Sequence, residues 1–169
     1  DAEDWPPGDL LAVLRSNYFR PDWPKWHHGE AVAPAERILR RLRIARGRKH
    51  LFDALEATGS TGRPKGLSDT TIVLRRLAAA LDELPQRCSS SRWAEAWQRL
   101  ARETGLLAVA EEELPERLQV GLSDRQAWAR LIDAMDSADT LADWLESQPP
   151  ELDRREALAA LQDVLTTER

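Results

Sequence analysis

One cysteine, Cys88, serves the whole chain of 169 residues, so no internal disulfide framework can form. Methionine is equally scarce: Met135 is the only one, and the chain opens on Asp1. The sequence therefore reads as a piece of a longer protein, with neither the basic n-region nor the apolar h-region of a secretion signal. No run approaches the ~20 apolar residues of a membrane span. A lone thiol without a leader suits a reducing cytoplasm, which is the expected location. Strand patterning is missing too, because no window alternates with period two. Chemistry is thin. His27, His28, His50 and Cys88 are the only soft metal ligands, and none lies at CxxC or HxxxH spacing. No histidine neighbours a Ser or Cys nucleophile, so no catalytic residue, no metal and no cofactor are expected.

What is present is helical. Apolar positions recur at three and four residues along almost the whole chain. The spacing predicts helices over roughly 9–16, from Pro34 (as a first-turn proline) to Gly47, 48–57, 69–83 and 92–104. Ser123-Asp124-Arg125-Gln126 has a capping-box pattern and opens a long helix, with a break near Ser137. Asp153-Arg154-Arg155-Glu156 repeats the pattern and opens the last helix. The fold expected is all-α, an irregular or orthogonal bundle of about seven or eight helices, forming one domain over 1–169 with a sub-boundary near 115–123. Its core should hold Leu11, Leu14, Leu39, Leu42, Leu77, Leu81, Trp97, Leu100, Trp128, Leu131, Leu158 and Leu161. Trp93, Trp97, Trp128 and Trp144 sit at core spacing.

Three features invite a functional reading. The loop after the first helix, Asn17 to Trp26, holds the only Tyr, one of two Phe and two of seven Trp, with Arg20 and Lys25 between the rings. Its rings either tuck into a satellite cluster or form a stacking platform for a base or a partner. The run Arg37 to His50 has seven Lys/Arg and no acid. It is either a solvated face favoured by a helix C-terminus or a set of phosphate contacts. The third feature, Thr58-Gly59-Ser60-Thr61-Gly62-Arg63-Pro64-Lys65-Gly66, is similar to the phosphate loop of adenylate-forming enzymes. It follows a helix rather than the strand such a loop requires, so it reads as a mobile interhelical connection that binds no nucleotide.

Charge is uneven along the chain. Residues 1–66 hold 12 Lys/Arg against 9 Asp/Glu, and residues 67–169 hold 12 against 20. A basic front permits an oriented contact with nucleic acid, and the acidic remainder opposes uniform coating.

The helix Asp9-Leu-Leu-Ala-Val-Leu-Arg-Ser16, followed at once by Asn17-Tyr-Phe-Arg-Pro-Asp-Trp23, resembles a segment of bacterial AddB-like, RecC-related helicase–nuclease B subunits. Those proteins serve double-strand-break repair, combining UvrD-like helicase folds, often with a PD-(D/E)XK nuclease. In them the phrase opens a helical insertion, the counterpart of the 2B subdomain of superfamily 1 helicases. The resemblance is clearest over Trp5 to Ala54 and continues only as pattern, such as Trp128-Ala-Arg-Leu131. It lends this chain no catalytic residue, because the Walker and nuclease motifs of the family are missing from it. The resemblance implies a non-catalytic accessory domain that guides DNA or braces a partner subunit. DNA would be held weakly through Arg20, Trp23, Lys25, Trp26, Arg40, Arg41, Arg43, Arg46, Arg48 and Lys49. The alternative is a helical protein-interaction or scaffold domain, for which rings and cations need not share a surface.

Overall fold

The computed structural model describes residues 4–42, 46–61, 65–108, 118–145 and 148–167. Among them are seven helices: α1 (Pro7–Arg15), α2 (His28–Leu42), α3 (Arg48–Thr61), α4 (Leu67–Asp82), α5 (Ser90–Glu103), α6 (Leu118–Trp144) and α7 (Arg154–Thr167). The only strands among the described residues are β1 (Arg87–Cys88) and β2 (Leu152–Asp153), an antiparallel pair with Arg87 opposite Asp153. The protein is all-α. Its chain forms two compact units, Asp1–Asp82 with Glu103–Leu106, and Glu83–Arg102 with Leu107–Arg169. Of the sub-boundary expected at 115–123, residues 115–117 lie outside the described residues and 118–123 fall within α6.

The first unit is built on a large apolar cluster. Leu10 and Leu14, one turn apart on α1, meet Ile38 and Leu39 of α2, Leu51 and Leu55 of α3, and Val73, Leu74 and Leu77 of α4. Burying side chains of this size contributes about 1.5–3 kcal/mol each before the cost of ordering them. The aromatic loop folds back onto this core. Phe19 meets Trp23 edge-on at 5.7 Å and Trp26 edge-on at 5.0 Å, the geometry that ring quadrupoles prefer.

Helix α2 begins at His28, so Pro34 lies in its second turn and not in its first. A proline there supplies no amide to the carbonyl of Glu30. Helix α3 likewise runs through Gly59, Ser60 and Thr61, residues expected in a loop. Ser60 Oγ donates to the carbonyl of Ala57 at 2.7 Å and Thr58 Oγ1 to that of Ala54 at 2.8 Å, so the hydroxyls bond within the helix. Residues 62–64 lie outside the described residues.

The second unit centres on Trp93, which is fully buried and stacks on Trp97 at 5.8 Å with 26° between the rings. Its indole Nε1 donates to the carbonyl of Leu152 at 2.9 Å, fastening α5 to β2. Cys88, Ala94, Ala96, Ile132, Met135 and Ala157 complete the cluster. Burial pushes the Cys88 thiol up, as expected for an inert core cysteine.

Helix starts follow two different rules here. At α7 the capping box is present: Asp153 Oδ1 accepts from the amides of Arg155 and Glu156 at 2.8 and 2.9 Å, and Glu156 accepts from the Asp153 amide at 2.8 Å. At α5 the cap comes from far away, since Asp139 of α6 accepts from the amides of Ser90 and Ser91 at 3.2 and 2.9 Å. The Ser123–Gln126 pattern caps nothing, because α6 is already helical from Leu118. Nor does α6 break near Ser137, whose Oγ donates back to the Asp133 carbonyl at 2.7 Å.

Two expectations about the core are corrected. Leu158 is 46 % exposed, because the cap at Asp153 fixes the phase of α7 so that Ala157 takes the inward position. Trp144 is 86 % exposed, on the side of α6 opposite Leu131, Ile132 and Met135. Of the other expected core residues, Leu14, Leu39, Leu77 and Leu131 are buried, Leu11, Leu42 and Leu81 pack half-buried against the first cluster and Trp97 and Trp128 against the second, and Leu100 and Leu161 are half-buried.

Candidate functional site

A cleft of about 450 Å³ opens in the first unit between the aromatic loop, α2 and the start of α4. Its walls are apolar, with Trp26, Pro34, Val73 and Leu74 among them. Its polar groups come from three separate stretches of sequence. Lys25 and His27 belong to the aromatic loop, Glu30 and Arg37 to α2, and Lys65 and Asp69 to the entry of α4. Lys25, Arg37 and Lys65 against Glu30 and Asp69 leave one excess positive charge along the cleft. The positive end of the α4 macrodipole adds to this sign.

Two local constraints shape the cleft. Trp23 to Trp26 form a tight turn in which the Trp26 amide donates to the Trp23 carbonyl at 3.0 Å. Pro24 takes its second position, and Lys25 takes the third with φ 73°. That is a type II arrangement, in which the third position favours glycine. Lysine there costs on the order of 1–2 kcal/mol of backbone strain. At the opposite wall Gly66 has φ 86°, and a Cβ on it would come within 2.8 Å of Pro34 Cβ. Only glycine lets the chain pass so close to α2 before α4 begins.

The residues expected to bind nucleic acid separate into distinct groups. Trp23 and Trp26 are each 6 % exposed, which corrects the stacking-platform alternative, because buried ring faces offer no surface to a base. Arg20 is partly buried with its Nε out of solvent reach, and its backbone amide donates to the Thr104 carbonyl at 3.0 Å. Arg48 is committed within the fold. Its guanidinium forks onto the Asp82 carboxylate, with Nη1 to Oδ1 at 2.6 Å, and lies 5.8 Å from the Trp5 ring centre.

Arg40 pairs with Glu36 at 2.7 Å, and Glu36 also takes Arg15 at 2.5 Å. The hydrogen bond from Arg15 above all holds the Glu36 carboxyl below its ordinary value. Arg46 lies 3.5 Å from Asp4, Arg41 and Lys49 are exposed, and Arg43 lies outside the described residues. Of the ten residues, Lys25 and Trp26 line the cleft. Arg37, His27 and Lys65 line it as well and were not among them. The clue to Lys65 was its place one residue before a glycine and two before a helix, a position from which a cation reaches the helix N-terminus.

Thr70 carries the only hydroxyl among the described residues lining the cleft, and it is buried. No group of three or more His, Cys, Asp or Glu among the described residues could hold a metal ion. No helix among them is long and apolar enough to cross a membrane. The arrangement is chemically suited to holding an anion by charge above an apolar floor. No family model, curated protein or solved structure matches the chain.

Proposed function

We propose that the chain is a non-catalytic helical accessory domain that holds DNA phosphates in the cleft of its first unit. The parent proposed is a bacterial double-strand-break repair helicase–nuclease of the AddB-like kind, as the resemblance over Trp5 to Ala54 implies. The observation that carries the reading is the convergence of Lys25, Arg37 and Lys65, from three sequence segments, on one cleft. Arg41 extends this row, lying one turn beyond Arg37 on the same side of α2. Phosphate contact through these groups is sequence-independent and falls with salt, because each neutralised phosphate releases counterions. The burial of Trp23 and Trp26 removes base stacking, so binding rests on backbone contact alone.

The test measures fluorescence anisotropy of labelled single-stranded and duplex oligonucleotides across a salt series. The variant Lys25→Gln, Arg37→Gln, Lys65→Gln should bind all sequences more weakly. Its salt slope should flatten by about 0.7 per lost contact on single strands and about 0.9 on duplex. Trp23→Phe should leave both slopes alone. An unchanged affinity in the triple variant, with helicity intact, would refute phosphate binding at this cleft.

A further inference from the structure

The inner wall of the cleft holds a hydroxyl that the fold itself does not use. Thr70 is 5 % exposed and lines the cleft. Its neighbour Thr71 turns its Oγ1 back to the Leu67 carbonyl at 2.8 Å, a bond made within the helix. Thr70 makes no such bond. Among the described residues its hydroxyl has no partner, yet the oxygen is not sealed from solvent. A buried hydroxyl open on one side only stays costly until a ligand enters to bond it.

The start of α4 supplies more donors at the same place. The Thr70 amide donates to the Gly66 carbonyl at 2.9 Å, so Gly66 is the residue that precedes the first helical turn. Glycine has no side chain to cap that turn. Among the described residues the amides of Leu67, Ser68 and Asp69 find no acceptor. Helical side chains tilt toward the N-terminus, so the Thr70 side chain leans toward those amides. Gly66, Asp69 and Thr70 all line the cleft, which means that this turn opens into it. Glu30 and Asp69 oppose an anion here, and Lys25, Arg37 and Lys65 outnumber them.

These donors distinguish two kinds of phosphate. An internal diester of a strand has one charge and two free oxygens, and a sugar flanks it on either side. So shielded, it meets the cations at the rim but not a hydroxyl as buried as that of Thr70. A terminal monoester carries a charge of about −1.5 to −2 and three free oxygens, with a sugar on one side only. Its spare oxygens can accept from Thr70 and the α4 amides while the cations hold the rest.

We propose that Thr70 and the first turn of α4 bind the terminal phosphate monoester of a nucleic-acid strand, which enters the cleft end-first. This inference rests on the phosphate reading of the cleft and adds to it a preference for phosphorylated ends.

The experiment measures anisotropy of one internally labelled single-stranded oligonucleotide against the full chain. The strand carries a 5′-phosphate, a 3′-phosphate or hydroxyls at both ends. A phosphate at one end or the other should tighten binding by at least about tenfold, the gain from a hydrogen bond to a charged group. Thr70→Val keeps the shape and removes the hydroxyl, so it should cut that gain to about threefold or less. It should leave the hydroxyl-ended strand and the melting temperature unchanged, and Thr70→Ser should retain the preference. Inorganic phosphate should compete only far above the strand's dissociation constant, because it lacks the strand's further contacts. Equal binding of phosphorylated and hydroxyl ends would overturn the proposal, as would a gain untouched by Thr70→Val. Inorganic phosphate binding as tightly as the phosphorylated strand would also overturn it, by assigning the site to a free anion. If the ends are not distinguished but Lys25→Gln, Arg37→Gln, Lys65→Gln still weakens the hydroxyl-ended strand, this inference falls and the phosphate reading stands. If that triple variant binds the hydroxyl-ended strand like the parent, the reading itself falls.

Discussion

Lys25 sits at a position that glycine would occupy at lower cost. Its φ of 73° is the only positive value among the described residues other than glycine. The side chain it carries there lines the cleft. Strain retained beside a cationic cleft is expected where the charge serves a ligand. Two substitutions separate the backbone from the ammonium group. Lys25→Gly should raise stability by roughly 0.5–1 kcal/mol by relieving the left-handed conformation, whereas Lys25→Ala should not. Both should weaken phosphate binding equally. Thermal melting beside oligonucleotide titration checks this, and a Gly variant no more stable than the Ala variant would refute the strain. Single residues also mark the limit of reading the sequence. The types Lys25, Arg37 and Lys65 stand plainly in it, but their meeting depends on Gly66 passing against Pro34, which no local pattern encodes.

At the scale of elements, local grammar was a good guide to helices and a poor one to their ends. Among the described residues the apolar period located each helix, because burying one face is what stabilises a short helix. Ends depend on where the unbonded amides go, and partners can be distant. Asp153 and Glu156 lie three residues apart, so their cap was legible. Asp139 is 49 positions from Ser90, so its cap was not. Ser123 and Gln126 mimic a cap inside a continuous helix, and Pro34 mimics a first turn one turn late.

The Asp139 cap carries a pH signature. Burial would raise its carboxyl, but hydrogen bonds from Ser91, Ser89 and Ser90 outweigh that and hold it below the ordinary value. A group with a lowered folded pKa contributes stability above its unfolded value, near 3.9, and loses it as pH falls through the folded value. Asp139→Asn should therefore lower the melting temperature at pH 7, as loss of a charged cap costs about 0.5–2 kcal/mol. The gap between variant and parent should narrow at pH 3. A gap constant over that range would contradict the charge-dependent cap.

The whole molecule is two compact units, each with its own apolar cluster. The first unit is not one continuous stretch, because Glu103–Leu106 belongs to it. The Arg20 amide reaches the Thr104 carbonyl, and a Cβ on Gly105, where φ is 69°, would fall 1.9 Å from the Arg20 carbonyl oxygen. Gly105→Ala should thus destabilise the first unit by on the order of 3 kcal/mol. Hydrogen exchange should quicken at Arg20 and Leu14 in that variant. Unaltered protection at both would count against the close approach.

That same return of the chain sets an order of events during synthesis. A nascent chain ending at Asp82 has every helix of the first unit but not the segment that packs against Arg20. The missing piece is complete only at Leu106, twenty-four residues later. At ribosomal speeds of about 5–20 residues per second, the first unit waits roughly 1–5 s for its final contact. During that interval α5 is already being made, so the early core is closed by the residues that directly follow a helix of the later unit.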